Sequence, residues 1–329
     1  MLNGGIKNIP LGGEILKKIK NYNFKKQYSN ILVSVFRAVF LISVGYVVLY
    51  PILYMLFKSV IPFSQADDPS VVWVPKGFSL ENYKAAFKGI HYAKALFNTL
   101  SIQIVSGLIE IIVCAIVAYG FARFNFPEKN ILFILVVLTM IVPAQAIVVP
   151  SCLNFSRLDF LGVLNLIGKA IGKEIRPNIL DTGLTFYIPS FFGVGVRAGL
   201  FIFIYRQFFK GLPKELEEAA AIDGAGIWKT IFKIVFPTSG TAFLCVGIFS
   251  MIAHWNDYYL SAMYFTDKFP LSLELKQLGE TAMNFDGSVV AAANVKNAAC
   301  ILFILPPIIM YLILQKNFIR SIGRTGIVG

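Results

Sequence analysis

Charge is scarce in this sequence. Asp, Glu, Lys and Arg make up 15% of its 329 residues, against about 25% in a soluble globular domain. Hydrophobic residues reach 57% and fall in long runs. An ordinary soluble fold is therefore excluded, and an all-α integral membrane protein is indicated. Histidine is nearly absent: His91 and His254 stand far apart in the chain. The four cysteines, Cys114, Cys152, Cys245 and Cys300, lie in or beside apolar runs without metal-ligand spacing. No metal site is expected from them, and small buried apolar side chains account for the cysteines. No GxxxxGK[ST] run is present to cradle a nucleotide phosphate. Nor are paired carboxylates, a His cluster or a Ser/His pair visible at membrane depth, so an intramembrane enzyme lacks its chemistry.

What charge there is has a pattern. The formal net charge is +12. In a soluble protein that would suggest nucleic acid, but here the cations sit in short segments flanking apolar runs, as the positive-inside rule requires. Residues 1–30 read as an uncleaved, basic cytoplasmic tail, and residues 31–329 as a transmembrane domain. Six spans are expected, over about 31–57, 95–121, 130–153, 184–208, 236–259 and 298–314. Pro51 is expected to kink the outer end of the first. Pro143 and Pro150 lie within the third, and Pro189 with three glycines makes the fourth irregular or kinked. Ser79 looks like the cap of a short amphipathic helix before the second span. An even number of spans puts both termini on one side. The basic tail, Arg123, Lys129, the 206–233 segment, Lys316, Arg320 and Arg324 all fall there, giving an N-in, C-in topology.

The most polar run of the second half is KELEEAAAIDGAGIWKTIFKIVFP, Lys214 to Pro237. It reads as a helical hairpin over 213–235. Pro213 suits a first helical turn. Glu215, Glu217 and Glu218 favour the positive end of the helix dipole. Leu212, Leu216, Ala219 and Ala220 form a slim apolar face. Asp223 and Gly224 end the helix, with Gly224 where a left-handed residue is expected. Ile227, Trp228, Ile231, Phe232 and Val235 form the apolar face of a second helix. An interfacial helix lying on lipid would show a wide apolar and a basic polar face. This first helix is thin and acidic, which suits a protein groove.

These residues match a family. Glu218-Ala219-Ala220, Gly224, Ile234 and Pro237 reproduce the spacing EAA-x3-G-x9-I-x-L-P of the permease subunits of ATP-binding-cassette importers, with Phe236 in place of Leu. FSLENYKAAF, FNTL, AYGFARFNFP, IYRQFFKGLPKELEEAA, HWNDYYLSAMYFTD and SIGRTGIVG resemble the carbohydrate-uptake group related to the maltose transporter. The resemblance covers nearly everything from about residue 30 onward; residues 1–30 and 165–185 carry less of it. It implies a type I importer permease fold (MetI-like) and a non-enzymatic subunit in the bacterial cytoplasmic membrane. A second, unlike permease would complete the pore. Two cytoplasmic ATPases would bind ATP and Mg and receive the coupling hairpins. An extracellular solute-binding protein would deliver a carbohydrate. On this reading Glu218, Ala219, Ala220, Asp223, Gly224, Ile234 and Pro237 carry the coupling, and this chain binds no cofactor of its own.

Further residues stand out singly. Glu110 falls in the middle of the second span, where an unpaired carboxyl costs about 2.5–3.5 kcal/mol. It is either a functional acid or a hydrogen-bonded group at a helix interface. Arg197, in the fourth span, pairs with an acid, Glu110 among them, or snorkels outward. Tyr187, Phe191, Trp255, Asn256 and Tyr258 could line a sugar path, aromatic faces and amides being what sugars need; each is also the type of residue found in an interfacial belt. Rival readings are an importer of polyamine, phosphate or peptide, or an ion-coupled secondary transporter. The latter needs an acid path and inverted repeats, and Glu110 alone is thin support.

Overall fold

The computed structural model describes residues 11–71, 74–159, 162–281 and 288–325. Residues 1–10 of the expected tail, and Asp286 of the expected acidic outer loop, lie outside these. The first of two compact units ends at Phe57, and the second begins at Lys58. The first is built on α1 (Leu11–Ser59), one helix that takes in both the later part of the expected tail and the first span and continues unbroken through Pro51. Phe36 stacks on Phe40 and Tyr46 tilts against Tyr50 along one side of it, at i, i+4 spacing.

The second unit begins with α2 (Glu81–Gly89). Ser79 Oγ accepts the Glu81 N–H at 3.1 Å, but the N-cap residue is Leu80, which makes no side-chain cap bond, so Ser79 stands one residue ahead of the cap position expected for it. Buried Asn82 donates to the carbonyls of Ser59 and Ile61, at 3.0 and 2.7 Å. The unit's central helix is α3 (Tyr92–Arg123), against which α7 (Leu184–Phe191), α8 (Ala198–Gly211) and α12 (Gly240–Trp255) pack. Cys114, Ala115 and Ala118 form a small-residue stripe on α3 that Phe201, Tyr205 and Phe209 of α8 fill. Lipid gives helices no hydrophobic drive to associate, so this close backbone approach and its dispersion contacts supply the adhesion.

Among the described residues, Ile31–Ser59, Tyr92–Arg123 and Val289–Gln315 are each long and apolar enough to cross a membrane. Two bent pairs would raise the number to five. The expected third span is such a pair: α4 (Lys129–Thr139) and α5 (Ala144–Ser156) meet at 96° before Pro143. The other joins the expected hairpin's second helix to the span expected over 236–259, with Ile227–Thr238 meeting α12 at 79°. The fourth is split. α7 and α8, with 8 and 14 residues, are about 12 and 21 Å long, each short of the roughly 30 Å hydrocarbon core. Gly193 and Arg197 take positive φ, 70° and 60°, in the break between them. The last helix, α15 (Val289–Thr325), is longer than the expected sixth span.

Beyond α5, α6 (Val163–Ile171) closes on a left-handed Gly172. The segment around α6 is tied at its base by Leu158 N–H to Pro177 O and Ile179 N–H to Phe155 O. Asp181 then fastens it to the chain after α13 (Tyr259–Tyr264), accepting from Thr266 and from the Asp267 N–H. Burial alone would raise the Asp181 pKa, but these hydrogen bonds and Lys268 outweigh it and hold the carboxyl below its usual range. α14 (Leu271–Thr281) leads back towards α15.

Candidate functional site

The polar hairpin is a rigid, capped turn. Its first helix, α9 (Glu215–Ile222), carries three glutamates in its first turn. It ends in a Schellman motif: the Ala225 N–H bonds Ala220 O at 2.9 Å and the Gly224 N–H bonds Ala221 O at 3.1 Å. Gly224 has φ 72°, a conformation that costs a residue with a Cβ about 1–2 kcal/mol. The returning stretch is α10 (Ile227–Thr230), a π-helical turn (Ile231–Val235) and α11 (Phe236–Thr238). Pro237 has no N–H to continue the ladder. The hydroxyls of Thr238 and Ser239 take the carbonyls of Ile234 and Val235, at 2.8 and 2.6 Å. Local side-chain hydroxyls thus take up two of the carbonyls where the chain turns from hairpin into α12.

The hairpin faces two ways. Ala220, Ile231 and Val235 are buried, and the latter two join the core cluster around α3 and α8. Ile222 (86% exposed), Trp228 (62% exposed), Ile227 and Phe232 are open on the other side, with Trp228 and Phe232 stacked at 6.1 Å. The expected apolar face of the first helix is narrower than the sequence suggests, because Leu216 and Ala219 are exposed. Glu218 and Asp223 are exposed too.

One glutamate has a role that the sequence concealed. Glu217 accepts from Arg123 Nε at 2.6 Å and from the Tyr119 hydroxyl at 2.9 Å, and Arg123 also donates to Leu212 O at 2.9 Å. The Arg123 side chain is only 8% exposed and that of Glu217 19%, so water screens the pair poorly. The hairpin is therefore bolted to the end of α3. Arg123→Ala and Glu217→Ala should each destabilise the protein by about 3 kcal/mol, with the double variant well short of the sum. Unfolding of the four proteins of that cycle in lipid nanodiscs checks it; additive losses would mean that the bolt contributes nothing.

Glu110 proves to be a cross-link between helices. Its Oε1 accepts from Ser190 Oγ of α7 at 3.1 Å. Its Oε2 lies 2.9 Å from Ser250 Oγ and 3.1 Å from His254 Nε2, both on α12. Glu110 and the His254 side chain are fully or almost fully buried. His254 Nδ1 and the Trp255 indole N–H have no hydrogen-bond partner among the described residues. A Cβ at Gly195 would collide with Glu110 Oε1, so the break in the fourth span is pressed against the carboxyl. The Glu110–Arg197 pairing does not form. Arg197 sits exposed at the start of α8, and His254 takes the place offered to it. A serine and a histidine do come together among the buried helices, contrary to expectation. Ser250 and His254 both converge on the carboxylate, which makes a tether and not a nucleophile activated by a base. The signal in the sequence was the i, i+4 spacing of Ser250 and His254, which puts both on one helix face.

The residues singled out for a sugar path are dispersed among packing roles. Tyr187 shares a 2.9 Å hydroxyl contact with Ser101. Phe191 is exposed at the end of α7. Trp255 is buried against Phe303, centroids 5.6 Å apart. Asn256 is exposed and donates to Ile252 O, and Lys276 Nζ lies 4.6 Å from the Tyr258 ring centroid. No group of three metal-ligating side chains converges among the described residues.

The family model described as "Binding-protein-dependent transport system inner membrane component" matches residues 110–324, from Glu110 through the hairpin into α15. The trehalose transport system permease protein SugB of Mycobacterium tuberculosis is 27% identical over 293 residues, covering 87% of this chain and 94% of that protein. The melibiose/raffinose/stachyose import permease protein MelC of Bacillus subtilis is 28% identical over 266 residues, covering 80% and 86%. A chain in the crystal structure of a bacterial ABC transporter involved in the import of the acidic polysaccharide alginate matches with a TM-score of 0.67 at 19% identity, covering 88% of this chain and 98% of that one. At that identity the likeness speaks for the fold alone. The family match spans the helices that build the tether and the hairpin, and with it the chain belongs to the inner membrane components of binding-protein-dependent transport systems, multi-pass transport subunits and not enzymes.

Proposed function

We propose that this chain is one permease subunit of an ATP-driven carbohydrate importer. It spans the bacterial cytoplasmic membrane six times, N-in and C-in, and forms half of a pore with a second permease. The observation that carries this reading is the hairpin: a Gly224 turn with Ile222, Ile227 and Trp228 open to water, on a stem fixed to α3 through Glu217. A stiff stem with an uncovered apolar end is what a mechanical coupling needs. The hairpin docks into a cytoplasmic ATPase that supplies the nucleotide site, with its ATP and Mg. Closure of the ATPase pair drags the hairpin, and the bolt at Arg123 passes that movement to α3. Carbohydrate is the cargo class, on the strength of relatives named for trehalose and for melibiose, raffinose and stachyose. A solute-binding protein delivers it from outside. Phe191 and Asn256, which keep exposed surface in this chain, are the better placed of the path candidates Tyr187, Phe191, Trp255, Asn256 and Tyr258.

The test is reconstitution of the chain with its partner permease, ATPases and binding protein in liposomes. ATP-dependent accumulation of a di- or oligosaccharide is expected, with no ATP hydrolysis by the isolated chain. Uptake of an amine or phosphate in place of sugar would overturn the cargo. Uptake driven by an ion gradient without ATP would overturn the whole reading.

A further inference from the structure

At the junction of α4 and α8 the structure gathers cations faster than it neutralises them. Arg206 and Lys210 stand one turn apart on α8, and so on one face. Lys129 opens α4, with Phe133 one turn further along. The Arg206 guanidinium lies 3.7 Å from the centroid of the Phe133 ring, so these two faces oppose each other. Lys129, Arg206 and Lys210 line one cavity of about 580 Å³, with Asn125, Asn130 and a single acid, Glu128. Three cations against one carboxylate leave an excess of two positive charges.

Arg206 is 8% exposed. Its Nε reaches Phe121 O at 3.4 Å, and it has no ion pair among the described residues. Lys129 uses one proton on Phe124 O. The cation–π contact offsets only part of the cost of burying this cation without a counter-charge. The remaining guanidinium N–H groups form the planar fork that suits a phosphate bidentately, and the lysines add charge beside it. Phe126 and Ile131 line the same cavity, and Ile131 continues into the exposed apolar surface of α4. A headgroup in the cavity could therefore keep its acyl chains along the helix.

We propose that this cavity is a binding site for a phosphate group, and that the apolar side of the cavity selects the phosphate of an anionic phospholipid. Basic pockets between membrane helices hold anionic headgroups for this reason. The site is separate from the hairpin and the buried tether, and it does not depend on the identity of the cargo.

The experiment uses the assembled transporter in nanodiscs of phosphatidylcholine, titrated with phosphatidylglycerol while thermal unfolding is followed. A parallel arm adds inorganic phosphate. A rise in unfolding temperature that saturates with phosphatidylglycerol, and weakens with salt, is expected. Lys210→Gln, at an exposed position, should weaken the apparent affinity about fivefold, and Arg206→Gln by more. Equal saturation with inorganic phosphate would support the phosphate site but assign it to a free anion. No response to either, an equal response to extra phosphatidylcholine, or an unchanged affinity in Lys210→Gln would overturn the proposal. The ATPases are present throughout, so an acidic partner side chain occupying the cavity would appear as no response.

Discussion

Replacing Gly224 by tryptophan is expected to abolish ATP-driven uptake by the assembled transporter. Two effects act together, and a graded series separates them. The first is conformational: φ is 72° at this position, and a residue with a Cβ pays about 1–2 kcal/mol to stay there, enough to cut the population of the native turn roughly five- to thirtyfold. The second is steric and concerns the partner, since among the described residues, chain neighbours aside, nothing lies within 4 Å of a Cβ built at Gly224. A Cβ is not crowded within the chain, so a loss in Ala beyond the conformational term arises at whatever docks there. Asn, which tolerates the left-handed region, should keep most uptake. Ala should lose part of it, and Trp all of it. Glu218→Lys, which reverses an exposed charge beside the turn, should uncouple hydrolysis from uptake or dissociate the ATPases. Uptake and ATPase rates on complexes whose assembly has been checked decide the matter. Wild-type uptake with Gly224→Trp would sink the coupling role.

Removing the Glu110 carboxyl should produce the largest stability loss in the membrane part of the chain. Glu110→Leu leaves Ser250 Oγ and His254 Nε2 facing an apolar side chain, with His254 Nδ1 already unpartnered. Ser190 Oγ keeps its bond to Phe186 O at 2.8 Å, so that end suffers least. Stranding a buried polar group by removing its partner costs about 1–3 kcal/mol, more where the group is charged. His254→Leu should cost a similar amount, because Glu110 then keeps only the Ser250 hydroxyl and a share of the Ser190 proton, which also serves Phe186 O. The double variant should cost much less than the sum, since replacing both partners by apolar groups removes the stranded polar atoms. Arg197→Gln should be nearly neutral, its side chain lying exposed at the helix break. Urea or thermal unfolding in nanodiscs gives these four numbers. Additivity of the first two losses, or a loss at Arg197 as large as at Glu110, would refute the tether.

The class of the protein was legible because hydrophobic length is a one-dimensional property. About 20 apolar residues span a bilayer wherever they stand in the chain. The hairpin was legible too, since its capping chemistry is local: three glutamates, a glycine at the left-handed position and a proline at the exit act within a turn or two. Gly224 does adopt the expected conformation. The spans were harder. Proline and glycine marked the fourth as irregular or kinked and prolines were present in the third, but the same residues serve a mild kink, a 96° bend or a complete break. Which of these occurs depends on the surrounding side chains that take up the freed backbone groups.

Partnership across the fold was not legible at all. Glu110 and His254 are 144 residues apart, and Arg123 and Glu217 are 94 apart. Nothing local distinguishes Glu217 from Glu215 or Glu218 on the same first turn. The sequence alone determined that this chain is a helical membrane protein with a capped polar hairpin, since length, composition and short-range hydrogen bonding suffice for that. Only the tertiary structure decided that the hairpin is bolted to α3, that Glu110 answers to His254 and not Arg197, and that three cations share one cavity. Those outcomes depend on which helix faces meet, and in lipid that choice is made by close packing and polar pairing between segments distant in the chain.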